Sequence, residues 1–152
     1  MKKLLMILVG LVFIAGVIGG AYAQFAKPEY AIKYRKAVMF LIAQHFGRMG
    51  AMVKEKIPYN QEVFARNAMV VETLSRLPWE AVMVPGTDTG DTTLNASAFD
   101  QPAKFREVAQ KFETGTAQLL RVAQSGDVTG IKSQFGEVGR SCKACHSQFR
   151  TK

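Results

Sequence analysis

Near its C-terminal end the chain reads Cys142-Lys143-Ala144-Cys145-His146, and no other stretch constrains the fold as much. Two cysteines three apart, with a histidine directly after the second, read as a c-type haem attachment site. Each thiol adds to one vinyl group of the haem, and the histidine beside the second thioether is placed under the iron as axial ligand. Residues three and four apart share a helix face, so a helix gathers Cys142, Cys145 and His146 on one side of the macrocycle. Val128, Ile131, Phe135, Val138, Cys142, Cys145 and Phe149 recur at alternating spacings of three and four. That is the apolar seam of an amphipathic bundle helix, and both cysteines lie on it, which puts the haem in a bundle core. A disulfide or a redox pair is the weaker reading. The histidine follows immediately, no alternating strand–helix pattern surrounds the motif, and a closed zinc site would lack ligands.

The other end of the chain carries a different signal. Lys2 and Lys3 precede an uncharged apolar run from Leu4 to Gly20, and Ala21-Tyr22-Ala23 follows it. A short positive region, an apolar stretch and a small-x-small ending make a secretory signal peptide, cut after Ala23. The competing reading is an uncleaved anchor, but the run is borderline in length for a bilayer span and the Ala-x-Ala ending favours cleavage. The expected organisation is therefore a signal peptide over residues 1–23 and one haem-binding domain over residues 24–152, exported to the periplasm. A domain of that size buries roughly two-thirds of its unfolded surface and supports one core. Export also suits the cysteines: a bare pair in an oxidising compartment tends to close as a disulfide, whereas thioether bonds consume both sulfurs. Net charge falls from +8 to +6 when Lys2 and Lys3 are removed. The positives are spread along the chain, which supports solubility and steering towards an acidic redox partner but no nucleic-acid role.

The mature chain predicts four long helices. The first begins at Pro28, a residue favoured in the first helical turn, and runs to about Lys56, before Pro58. Ile32, Met39, Phe46 and Val53 recur every seven residues, with Ile42 and Met49 between them and Arg35 on the same stripe. A charge on a core-facing stripe is costly unless paired. A haem propionate would pair with Arg35, and the alternative is an arginine that reaches water from the edge of the stripe. Met39, one turn further on, either packs, fills the pocket beside the iron, or ligates it on the side opposite His146. His45 reads as a structural or surface histidine. Asn60 is the expected N-cap of the second helix, with Val63, Asn67, Val70, Leu74 and Leu77 as its stripe and Pro78 as its stop. Residues 78–101 form a long connection rich in turn residues at Pro85-Gly86-Thr87-Asp88-Thr89-Gly90-Asp91, placed to wrap the haem edge. Asp100 is the expected N-cap of the third helix, whose seam is Phe105, Val108, Phe112, Gly115, Leu119 and Val122. It ends at Ser125-Gly126, and Asp127 caps the last helix after a very short turn, which makes an antiparallel hairpin. The fold class is all-α, an antiparallel four-helix bundle with covalent haem in its core.

This arrangement resembles the class II c-type cytochromes, the cytochrome c' family, a standard example of the four-helix bundle. The resemblance spans the mature chain. It is carried by Gln24-Phe25-Ala26-Lys27-Pro28-Glu29, Lys33-Tyr34-Arg35, His45-Phe46-Gly47-Arg48-Met49, Leu77-Pro78-Trp79, Pro85-Gly86-Thr87, Val138-Gly139 and Ser141-Cys142-Lys143-Ala144-Cys145-His146. It implies one haem c held by Cys142 and Cys145, with His146 on the iron. Arg35, Lys36 and Asp91 match positions that line the haem, and Arg150 matches a basic residue beside the proximal histidine. Met39 falls where a bulky apolar residue commonly faces the vacant iron site, although in low-spin relatives a methionine there ligates the iron. The resemblance also implies a homodimer through the first two helices.

Two functions follow. Iron held by His146 alone, under an apolar pocket around Met39, suits nitric oxide or carbon monoxide; with Met39 as sixth ligand the chain is an electron carrier instead. An enzyme such as a peroxidase ranks last, because no distal histidine is placed as a base and no acidic pair serves acid–base work. The chain is therefore expected not to be an enzyme. Its expected partners are diatomic gases and an unidentified redox protein, with no membrane contact after signal cleavage.

Overall fold

The computed structural model describes residues 25–151, so the expected signal peptide lies outside the described residues. The helices are α1 (Pro28–Val53), α2 (Gln61–Leu74), α3 (Pro78–Val82), α4 (Ser97–Asp100), α5 (Pro102–Ser125) and α6 (Val128–Phe149). The four long ones, α1, α2, α5 and α6, form the expected bundle, and α3 and α4 are short pieces within the long connection. No described helix is long and apolar enough to cross a membrane.

Local chemistry sets the helix ends. Pro28 sits in the first turn of α1, and the chain leaves that helix through Glu55, which takes a positive φ of 57°. The Asn60 side chain caps α2 by accepting from Val63 N at 2.9 Å. Gly126, at φ 74°, supplies the left-handed residue that closes α5. Asp127 then caps α6 by accepting from Gly130 N at 3.0 Å, so α5 and α6 form the tight hairpin expected.

Three expectations on register are corrected. The fully buried face of α2 is Phe64, Asn67, Ala68 and Val71, so of the expected stripe Asn67 is buried while Val63, Leu74 and Leu77 pack against the core only partly buried, because Phe64 offers the larger apolar surface to bury. Asp100 is the last residue of α4 and does not cap α5; that position belongs to Gln101, whose side chain makes no capping bond. Val128 is exposed, because it stands in the first turn of α6, ahead of the point where the seam is covered.

The main core joins Val38, Ile42 and Met49 of α1 to Phe64 and Val71 of α2, Phe112 and Leu119 of α5, and Ile131 and Val138 of α6. A second cluster of Val82, Ala98, Phe105, Val108 and Phe149 lies where the connection meets α5 and the end of α6. α1 packs along α2, α2 along α5 and α5 along α6, but α1 and α6 meet at few points. Their close approach is at one end, where Phe46 stacks on Phe135 with centroids 4.1 Å apart and Gly50 leaves room for the same ring. Beyond that point they diverge, and the space between them is the site.

Candidate haem site

The gap between α1 and α6 is a cavity of about 800 Å³, within the range of cofactor-sized sites. Arg35, Lys36, Met39, Ile42 and Phe46 line it from α1, and Cys142, Cys145 and His146 line it from α6. Trp79 and Val82 of α3, with Phe105, Val108 and Phe112 of α5, close its apolar back wall, and Asp91 to Leu94 of the connection cross one side. The eight residues singled out from the sequence (Arg35, Lys36, Met39, Asp91, Cys142, Cys145, His146 and Arg150) are thus brought to one cavity.

Both cysteines are free and half-buried. Burial pushes the Cys142 thiol up from its ordinary range. Burial, and then the neighbouring Cys142, push the Cys145 thiol up to about 11. These are neutral, apolar-facing sulfurs. His146 is exposed at the rim, and its imidazole is held below the ordinary range first by partial desolvation and then by the Arg150 guanidinium. A neutral imidazole is the form that ligates a metal.

Arg35 is 7% exposed, so it does not reach for solvent. One Nη donates to Ala81 O at 3.2 Å, and the other to Thr87 O at 3.0 Å and to Thr92 Oγ1 at 2.6 Å. None of these acceptors carries charge, and desolvation lowers the guanidinium's pKa. Lys36 pairs with Asp91, its Nζ 2.7 Å from Oδ2 and 3.2 Å from the backbone oxygen. Hydrogen bonding from Lys36, reinforced by its charge, holds the Asp91 carboxyl below the usual range. Arg150 Nε donates to Thr93 Oγ1 at 2.9 Å. Met39 lines the cavity while packing against the main core. His45 turns away to α2, its Nδ1 2.8 Å from Asn67 Oδ1, the structural role expected of it.

Sequence reasoning missed Thr87, Thr92 and Thr93. The hydroxyl of buried Thr87 donates to Val82 O and Val84 O, both at 2.9 Å, and so shapes the turn whose carbonyl holds Arg35. Thr87 stood in the Pro85-Gly86-Thr87 segment of the resemblance with no role assigned to it, and Thr92 and Thr93 offered only a threonine-rich turn. Trp79 Nε1 is buried without a hydrogen-bond partner, and the indole meets the rings of Phe105 and Phe112 in T-shaped contacts.

The donor set suits a haem. Two thiols and an imidazole share one helical face, the walls are apolar, and a buried guanidinium held only by neutral oxygens offers charge to a carboxylate. The sequence profile of the Cytochrome C' family matches residues 30–150. This chain belongs to the cytochrome c' family. It is 43% identical over 129 residues to the cytochrome c' of Alcaligenes xylosoxydans xylosoxydans, covering 85% of this chain and 99% of that one. The crystal structure of cytochrome c' from Rubrivivax gelatinosus superimposes with a TM-score of 0.80 at 41% identity, covering 84% of this chain and all of that one. A nitric oxide complex of a variant cytochrome c prime from Alcaligenes xylosoxidans does so with a TM-score of 0.78 at 42% identity, covering 85% of this chain and 99% of that one. As a cytochrome c' the protein has covalent haem c as its cofactor, and Cys142 and Cys145 are the paired cysteines present in its C-terminal region.

Proposed function

We propose that this cytochrome c' binds small gases, nitric oxide foremost, at a haem iron whose only protein ligand is His146. When bound, the haem supplies an iron that takes up a diatomic ligand and exchanges one electron. Cys142 and Cys145 hold the group by thioether bonds. Arg35 offers its charge to a propionate, Lys36 and Asp91 close the rim as an ion pair, and Arg150 stands beside the proximal imidazole. The observation that carries this reading is the wall opposite His146: Met39, Ile42 and Phe46 make it apolar, and Met39 packs into the core. Such a wall excludes water and favours ligands that need no hydrogen-bond donor. The nitric oxide complex of a 42% identical relative supports it. The reading makes the protein a periplasmic binding and redox protein, not an enzyme, and a homodimer through α1 and α2.

The optical spectrum of the exported protein tests it, oxidised and reduced, with and without nitric oxide. A high-spin spectrum that shifts on adding the gas is expected. A low-spin spectrum with a methionine–iron charge-transfer band would assign Met39 as sixth ligand and electron transfer as the role. Met39→Ala is expected to speed carbon monoxide binding about tenfold, equivalent to about 1.4 kcal/mol off the barrier. An unchanged rate sinks the pocket-filling role of Met39.

A further inference from the structure

The segment that crosses the cavity is strapped to the end of the haem-bearing helix. Thr151 N donates to Thr93 O at 2.8 Å, Asn95 N donates to Phe149 O at 3.1 Å, and Leu94 pairs with Arg150 in an antiparallel bridge. These bonds hold the two segments in register on either side of Arg150. Adjacent threonines on the strap each hold an arginine of a different wall: Thr92 Oγ1 accepts from Arg35 of α1, and Thr93 Oγ1 from Arg150 just beyond α6. Arg150 stands just past the end of α6 in extended backbone, four residues after His146, and both side chains line the same cavity.

Building on the haem reading above, we propose that Thr93 is a positioning residue whose hydroxyl fixes the Arg150 guanidinium beside His146 and so sets the charge felt on the proximal side of the iron. An exposed arginine ordinarily samples many rotamers, and its field on a neighbour is averaged and screened. Anchoring Nε, the atom nearest the stem, removes most of that freedom. A cation held close to the iron favours the reduced state over the oxidised one, because the oxidised centre carries one more positive charge. Thr93 therefore raises the reduction potential through Arg150.

The experiment measures the reduction potential of the holo-protein at low ionic strength for Thr93→Val, Thr93→Ser, Arg150→Gln and the double variant Thr93→Val/Arg150→Gln. The haem absorption spectrum serves as the check on folding. Thr93→Val is expected to lower the potential, in the same direction as Arg150→Gln. Thr93→Ser keeps the hydroxyl and is expected to match the wild type. The double variant is expected to match Arg150→Gln alone, since the two residues act as one unit. Two effects that add in full would mean that Thr93 acts on the strap and not through Arg150, and would overturn the proposal. A silent Thr93→Val or a silent Arg150→Gln overturns it too. Covalent haem and gas binding with a silent Thr93→Val leave the proposed function standing, whereas absence of covalent haem from the wild type sinks both.

Discussion

Arg35 shows what a single residue owes to its surroundings. On a stripe of apolar positions it reads as either a surface arginine or the partner of a carboxylate, and its 7% exposure removes the first option. Its forked guanidinium spans two backbone carbonyls and a hydroxyl, drawn from α3 and from the connection that follows it. A lysine has one compact ammonium and cannot bridge all three. Arg35→Met leaves Ala81 O and Thr87 O without that donor, each such loss costing about 1–3 kcal/mol. Chemical denaturation is therefore expected to show a loss of about 2 kcal/mol or more. A variant as stable as the wild type would mean that the connection is held by other contacts.

At the scale of the element, α5 carries its own electrostatic support. Glu107 faces Lys111 at 2.6 Å and Lys104 at 2.9 Å, the i+4 and i−3 neighbours on one helix face. Hydrogen bonds from Lys111 and then Lys104 hold its carboxyl down from 4.5 to about 2. A depressed folded-state value means stability that is fully present above the unfolded value and is lost as pH falls from 4.5 towards about 2. Melting temperatures of the wild type and Glu107→Gln are expected to differ at pH 7 and to converge across that window. Because the pair is exposed, salt should shrink the difference. A difference as large at pH 2 as at pH 7 would rule out the ionic origin. The same scale explains where the site lies. Phe135 of α6 fits over Gly50 of α1 and stacks on Phe46, pinning the two helices at one end and leaving them apart at the other.

At the scale of the molecule, the first two helices and their connection leave large apolar side chains in water: Tyr30, Leu41, Ile57 and Tyr59, with Met69 at 51% exposed. A homodimer through α1 and α2, as proposed above, would cover these side chains. Sedimentation of the holo-protein is expected to give twice the chain mass, and Leu41→Glu combined with Met69→Glu is expected to give monomers with an unchanged haem spectrum. Phe40, though 62% exposed, also lines the cavity and is left intact in that test. A wild type that is monomeric at high concentration would remove the dimer.

What the sequence determined by itself is what short-range spacing can encode. Cys142, Cys145 and His146 share a face because they lie within about one helical turn, and the four long helices follow from periodic apolar seams punctuated by Pro28, Asn60, Gly126 and Asp127. The family resemblance rested on the same local motifs. Only the tertiary structure decided which face of α2 is buried, because Phe64 and Val63 are neighbours in sequence and packing alone chooses between them. It also decided the fate of the long connection. Thr92 meets Arg35 across 57 positions, and Thr93 meets Arg150 across 57 as well. A hydroxyl in a turn has many acceptors and donors within reach of its type, and no spacing rule names the one it takes. That choice is made when α1 and α6 are brought to the two sides of one cavity and the strap between them must satisfy both.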